Sequence, residues 1–107
     1  MANYADTRIT VHDAGFIVAP AEGKTNRVPW ADIEEIRAFR ISLSSEDEIR
    51  IALKVEPDYW VDLSNKQPGF AEFAHQLQLR FPSVAGWEGV VQRSGMPRDG
   101  WVLYRRI

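Results

Sequence analysis

The stretch "EIRIALKVEPDYWVDL", residues 48–63, decides the fold because it predicts a β-hairpin. Apolar and polar residues alternate along both of its halves, which is the two-residue period of strands with one buried face. Glu56-Pro57-Asp58 supplies the residues of a tight connection between the halves. The apolar positions that share the predicted buried face are Ile49, Ile51, Leu53, Val55, Tyr59, Val61 and Leu63.

An earlier part of the chain predicts a second hairpin. Ile9 and Val11 alternate with polar residues, residues 13–15 (Asp-Ala-Gly) have turn chemistry, and an apolar run follows at residues 16–19. A short third extended piece is expected at residues 27–30.

The segment "VPWADIEEIRAF", residues 28–39, carries two periodicities at once. Ile33 and Ile36 follow Trp30 at helical spacing, and a strand-like alternation begins after them. We predict a turn at residues 31–34, where the chain reverses, and then a strand over residues 35–43. Trp30, Ile33 and Ile36 would lie in the core, and the alternating apolar positions are Phe39, Ile41 and Leu43.

Residues 68–81 predict one amphipathic helix. Five apolar residues recur at positions i, i+3, i+4, i+7 and i+11, and Pro82 ends the pattern. Ser64 or Asn65 is expected to cap this helix, with Pro68 inside its first turn. The apolar stripe consists of Phe70, Phe73, Ala74, Leu77 and Phe81.

These elements predict a single α+β domain over residues 1–107. We expect a curled antiparallel sheet or small split barrel of five to seven strands, with one main helix at about residues 68–81 and a C-terminal extended segment. A chain of 107 residues is long enough for one core of this kind.

Residues 8–81 resemble small bacterial proteins with a pleckstrin-homology-like fold, through Trp30, Asp32, Ile33 and Ile36 in "VPWADIEEI" and the order of hairpins and helix. The resemblance implies a fold that ends on its helix, whereas this chain continues to "WVLYRR". The first hairpin loop here contains Asp13 and no lysine or arginine, so phosphoinositide binding is not expected. The whole chain also looks similar to small uncharacterised bacterial proteins without an assigned activity.

Composition narrows the classes of function. The chain has no cysteine, which excludes disulfides and thiol chemistry, and no apolar run approaches the ~20 residues of a membrane span. We therefore expect a cytoplasmic protein without a membrane partner. The net charge of -2 does not favour nucleic acid.

Candidate catalytic residues do not form a recognised motif. Asp32, Glu34, Glu35 and Arg37 could supply an acid-base pair, but scaffold is the favoured interpretation: Asp32 would bond nearby backbone amides, and the two glutamates would face solvent. His12 and His75 lack any accompanying catalytic or metal-binding pattern, and the acidic cluster at residues 44–48 lacks the calcium-loop pattern. We expect no enzyme activity, no cofactor and no metal.

The C-terminal stretch "VVQRSGMPRDGWVLYRRI" is the strongest candidate for a binding surface, because arginine and aromatic residues are enriched at protein interfaces. A second interpretation is a last strand whose Trp101 and Leu103 pack inward while Arg105 neutralises the acidic middle of the chain. The possible partner-binding residues are Arg93, Arg98, Trp101, Tyr104, Arg105 and Arg106.

The sequence thus predicts a non-catalytic protein that acts through protein contacts. The partner would be another protein or a second copy of the chain, met by a sheet edge or by the C-terminal segment. The alternative is small-ligand binding in a pocket between sheet and helix, lined by Phe70, Phe73, Trp60 and Trp101.

Overall fold

A computed structural model of the chain describes residues 7–20, 24–42 and 47–106. The strands are β1 (Thr7–Val11), β2 (Gly15–Pro20), β3 (Asn26–Pro29), β4 (Ile33–Ser42), β5 (Asp47–Val55), β6 (Tyr59–Ser64) and β7 (Trp101–Arg105). The helices are α1 (Phe70–Arg80) and the single turn α2 (Trp87–Val90), with 3-10 turns at Trp30–Asp32 and Pro82–Val84.

The strands form two antiparallel sheets, one of three strands in the order β1-β2-β3 and one of four in the order β6-β5-β4-β7. The predicted α+β class is therefore confirmed, as is the expected number of strands. Within the described ranges the strands pair as two separate sheets and do not close into a barrel.

The hairpin predicted from residues 48–63 is present as β5 and β6. Val55 pairs with Tyr59 next to the turn, and the register continues to Arg50 opposite Ser64. Six of the seven positions predicted for the buried face are buried, whereas Tyr59, next to the turn, is 36% exposed. The polar positions between them lie on the opposite face of the sheet, because successive side chains of a strand alternate.

A β-bulge explains the two periodicities around Trp30. Ile33 pairs with Val55 and Glu35 pairs with Lys54, so β4 carries one more residue than β5 at this point. The extra residue, Glu34, leaves both Ile33 and Ile36 on the buried face although they are three positions apart. The turn predicted at residues 31–34 is observed as the 3-10 turn Trp30–Asp32, so β4 begins at Ile33, two residues earlier than expected, and Trp30 is in the core.

The far half of β4 corrects one expectation. Beyond the bulge the buried positions are Ile36 and Ala38, so Phe39 and Ile41 lie on the other face of the sheet. Their alternation is real, but it marks the outer face of the four-stranded sheet. Leu43 lies outside the described residues.

Helix α1 covers the inner side of the molecule with the predicted apolar stripe. Phe73 is completely buried, with its ring centroid 4.9 Å from that of Phe16 and 6.5 Å from that of Trp30. The Trp30 indole Nε1 donates to the carbonyl of His12 at 3.2 Å, which ties this aromatic core to the first hairpin.

The start of α1 differs from the prediction. Gly69, with φ +91°, is the N-cap, so Pro68 precedes the helix and neither Ser64 nor Asn65 caps it. Asn65 instead accepts a hydrogen bond from the amide of Ile49 at 3.1 Å. Gly69 is required because its backbone passes against β1, where the Ile9 amide donates to the Pro68 carbonyl at 2.9 Å.

After α1 the chain returns to the four-stranded sheet, where β7 pairs with β4. The pleckstrin-homology pattern ends on its helix, so this last strand departs from that pattern, as the sequence indicates. In the described residues, no helix combines the length and apolarity needed to cross a membrane.

Candidate partner-binding surface

Two arginines of β4 hold the loop at residues 92–100 against the sheet. Arg37 Nη1 donates to the Asp99 carbonyl at 3.0 Å, and Arg40 Nη1 donates at 2.7 Å to the carbonyl of Val91, the residue that precedes this loop. The Arg40 amide also lies 3.3 Å from Met96 Sδ. The loop is thereby positioned alongside β7 as one wall of a groove.

The arginine groove, as we name it, runs along the edge of β7 and has a volume of about 470 Å³. β7 supplies its floor, and Ser83, Val90 and the 92–100 loop supply its walls. Four of the six residues predicted for partner binding line this groove. A further arginine, Arg37, also lines it although the sequence interpretation did not include it. Its arginines are Arg37, Arg93, Arg98 and Arg105, and its aromatic residue is Trp101.

The four guanidinium groups are only partly neutralised. Arg37 and Arg105 share the carboxylate of Glu35, with Arg105 Nε 2.9 Å from Oε1 and Arg37 bound to Oε2. In the described part of the chain, the side chains of Arg93 and Arg98 form no ion pair with a carboxylate and donate no hydrogen bond. They therefore present unpaired positive charge to the groove.

Glu35 corrects the expectation that both glutamates of β4 face solvent, because its side chain is only 12% exposed. Burial alone would raise the pKa of Glu35, but hydrogen bonds from Arg37 and Arg105 and their positive charges outweigh it. The net effect holds its pKa below the ordinary value for a glutamate. Glu35 thus remains ionised and orders the two arginines.

Tyr104 and Arg106 do not join the groove. The Tyr104 ring packs on Phe81, 4.6 Å between centroids. Arg106 extends to the beginning of β4, where its Nη2 donates to the carbonyl of Ile33 at 3.0 Å and to that of Ala31. The hydrogen bond and charge of Glu56 raise the pKa of the Arg106 guanidinium above its usual value. Both side chains therefore make contacts within the protein outside this groove.

The second interpretation of the C-terminal stretch is supported for two of its residues. Leu103 packs into the core and Arg105 pairs with Glu35. Trp101 is half-buried, with the guanidinium of Arg40 5.9 Å from its ring centroid. The same strand therefore contributes packing on one side and groove residues on the other.

A second concavity, here called the apolar groove, lies on the outer face of the four-stranded sheet and has a volume of about 560 Å³. Arg37, Arg98 and Asp99 line both grooves, so the two are adjacent. Trp60 is 49% exposed and Ile41 is 38% exposed, and Val102, which lines the arginine groove, is 46% exposed. The apolar lining consists of Phe39, Ile41, Ala52 and Trp60.

The sequence interpretation misses Arg37 and the outward position of Trp60. Trp60 alternates with Tyr59 and Val61, so a hairpin that buries Val61 and Leu63 places Trp60 outside. That signal was present in the sequence. Arg37 could not be assigned in the same way, since its face depends on the bulge at Glu34.

The pocket expected between sheet and helix is not formed by its four aromatic residues. Phe70 and Phe73 interdigitate in the core, 5.9 Å between ring centroids. Trp60 lies on the opposite face of the sheet, and Trp101, the first residue of β7, lines the arginine groove. Trp101, Trp60 and Phe70 line three different concavities of the described residues.

The titratable residues outside the grooves are dispersed. His12 lies by the first hairpin, whereas His75 and Glu88 line a shallow depression beside α1, both exposed. The backbone carbonyl of Asp32 accepts a hydrogen bond from the Glu56 amide at 2.9 Å. Within the described residues, no backbone amide donates to the Asp32 side chain as predicted. No three potential metal ligands converge anywhere in the described ranges.

Comparisons of the chain with protein-family models, with curated proteins and with solved structures find no match.

Proposed function

We propose that this chain is a non-catalytic interaction module that binds a protein partner through its C-terminal segment and the groove beside it. The observation that carries the proposal is the arginine groove, in which Arg93 and Arg98 have no acceptor within the described chain. Unpaired arginines next to apolar surface are typical of interface hot spots, since the guanidinium forks and stacks while apolar surface is buried around it.

The mode of contact is expected to be side chain to side chain. β7 is an edge strand, but the Ser83 hydroxyl donates to the Leu103 carbonyl at 2.7 Å. The register against β4 also shifts between Ile36 and Arg37, so β7 carries one extra residue there. A bulged and partly occupied edge is a poor template for an added strand. This supports the C-terminal segment over sheet-edge pairing at β7.

The test is affinity capture from an extract of the native host with purified wild type and an Arg93→Ala/Arg98→Ala variant. An Arg8→Ala/Arg27→Ala variant is the control, because both residues are exposed on the three-stranded sheet and carry the same charge. We expect a defined protein retained by the wild type and the control but not by the groove variant. Identical retained proteins for all three would overturn the proposal. Truncation at Gly86 is less informative, because it removes buried Trp87, Val91 and Leu103.

Self-association is a second candidate, supported by β6, the other edge strand of the four-stranded sheet. Tyr59 and Trp60 are large exposed residues on that strand. Sedimentation equilibrium at high micromolar concentration distinguishes this candidate: a dimer that a Trp60→Lys variant dissociates supports it, and a monomer throughout removes it. A cytoplasmic setting is part of the proposal, supported by a cysteine-free composition that suits a reducing compartment.

A further inference from the structure

We infer that the arginine groove and the apolar groove together bind one extended acidic segment of a partner protein, in which a run of carboxylates lies beside a bulky apolar residue. The inference rests on the proposed function, because it names the chemistry of the partner for that same surface.

Charge is the first argument. The arginine groove has four guanidinium groups, and the carboxylates at or against it are Asp99 and Glu35, so the local balance is positive by two. The whole chain carries a net charge of -2. This region is therefore opposite in sign to the rest of the protein, and a complementary ligand has to be acidic there.

The availability of donors is the second argument. Glu35 fixes Arg105 and, with the Asp99 carbonyl, also Arg37. These two guanidinium groups are held in place before any ligand arrives. Arg93 and Arg98 retain their full donor capacity within the described chain. Planar guanidinium groups bind carboxylates through two parallel hydrogen bonds, which matches glutamate or aspartate side chains.

The adjacent apolar groove supplies the third argument. Arg98 and Asp99 separate the two grooves and line both, so an extended segment that crosses them contacts both. On the far side, Trp60 and Ile41 are exposed apolar side chains, with Arg37 5.9 Å from the Trp60 ring centroid. A ligand residue that covers this surface has to be aromatic or aliphatic.

Single-stranded nucleic acid, the other polyanion, fits less well. Sequence-tolerant binding of single strands uses rings exposed along the basic groove for base stacking. In this groove the Trp101 ring is half-buried beside Arg40, and the nearby Tyr104, outside the groove, packs on Phe81.

The test is fluorescence anisotropy with a labelled synthetic peptide of four glutamates followed by tryptophan and leucine. Two control peptides replace the glutamates by glutamine, or the tryptophan and leucine by alanine. We expect the glutamine peptide to bind at least about tenfold more weakly than the first, and the alanine peptide about three- to tenfold more weakly.

Protein variants locate the binding. Arg93→Glu/Arg98→Glu should weaken the first peptide at least about tenfold, whereas Arg8→Glu/Arg27→Glu, with the same change in net charge, should stay within about twofold. Trp60→Ala should weaken the first peptide but leave the alanine peptide unchanged. Circular dichroism of each variant confirms that it is folded, and Arg98→Ala alone provides a milder second variant.

Three results would overturn the inference: equal binding of the glutamate and glutamine peptides, equal losses in the groove and control variants, or tighter binding of a single-stranded oligonucleotide of the same charge. These failures are distinct from failure of the proposed function. If affinity capture still depends on Arg93 and Arg98 while the acidic peptide does not bind, the groove is an interface and only the partner chemistry is wrong.

Discussion

Glu35 and Arg105 lie 70 positions apart in the chain and meet at 2.9 Å between Oε1 and Nε. The contact joins β4 to the last strand and, through the same carboxylate, orders Arg37. A single largely buried carboxylate therefore couples the docking of β7 to the shape of the arginine groove.

The Glu35→Gln variant is expected to lose stability in a pH-dependent manner. The folded-state pKa of Glu35 is lowered, so its contribution is present above the unfolded glutamate pKa of about 4.3 and is lost as the pH falls through the folded value. We expect a cost of about 1 kcal/mol in the free energy of unfolding at pH 7 and a smaller cost at pH 3.

Urea unfolding followed by tryptophan fluorescence at both pH values measures this difference. Asp58→Asn is a suitable control, since its carboxylate is 83% exposed and 3.9 Å from Lys54. A Glu35→Gln cost that is the same at pH 7 and pH 3 would contradict the ion-pair interpretation and indicate a packing effect.

Gly69→Ala is expected to destabilise the protein by about 2 kcal/mol or more, because a non-glycine residue is strained at positive φ. An added Cβ would also lie 1.9 Å from the carbonyl oxygen of Ile9. Gly89→Ala is the matched control, with no neighbouring atom within 4 Å of its added Cβ, and should be neutral or slightly stabilising within α2. Thermal unfolding measures the midpoint temperatures of both variants. Equal midpoints would refute the close approach of Gly69 to β1.

Phe73→Ala should cost about 3–5 kcal/mol in the free energy of unfolding, since it leaves a cavity in the aromatic core. Phe73 is fully buried against Phe16 and Trp30. Leu79→Ala on the same helix should change the value by less than about 0.5 kcal/mol, because Leu79 is 63% exposed. Chemical denaturation measures both, and similar costs at the two positions would mean that α1 is oriented differently.

Arg106→Ala tests the division between scaffold and groove. Its guanidinium bonds the carbonyls of Ala31 and Ile33 and pairs with Glu56, so the variant should unfold a few degrees below wild type. Arg93→Ala, which removes no hydrogen bond in the described chain, should keep the wild-type melting temperature. Differential scanning calorimetry distinguishes them, and the opposite order would assign Arg106 to the surface and Arg93 to the scaffold.

Several elements were predictable because their signal is local. The alternation in residues 48–63 determined β5 and β6, and the apolar stripe determined which face of α1 is buried. The helix cap was not predictable from the preference for Ser64 or Asn65. The chain has to turn next to β1 at Gly69, and this turn requires a positive φ. That backbone requirement, and not a capping side chain, determined where the helix begins.

The candidate site is the part that sequence determined least. Arginine and aromatic content marked residues 93–106 as unusual, and four of the six chosen residues line one groove. Tyr104 and Arg106 lie outside this groove, because nothing local distinguishes an arginine that faces solvent from one that reaches the distant carbonyls of Ala31 and Ile33.

Sequence alone determined the β5–β6 hairpin, the buried stripe of α1 and the absence of thiol chemistry, since each follows from periodicity or composition. Tertiary structure decided the pairing of β7 with β4, the shared carboxylate of Glu35 and the juxtaposition of the two grooves. These features join residues far apart in the chain, and a one-residue bulge changes which of them face each other.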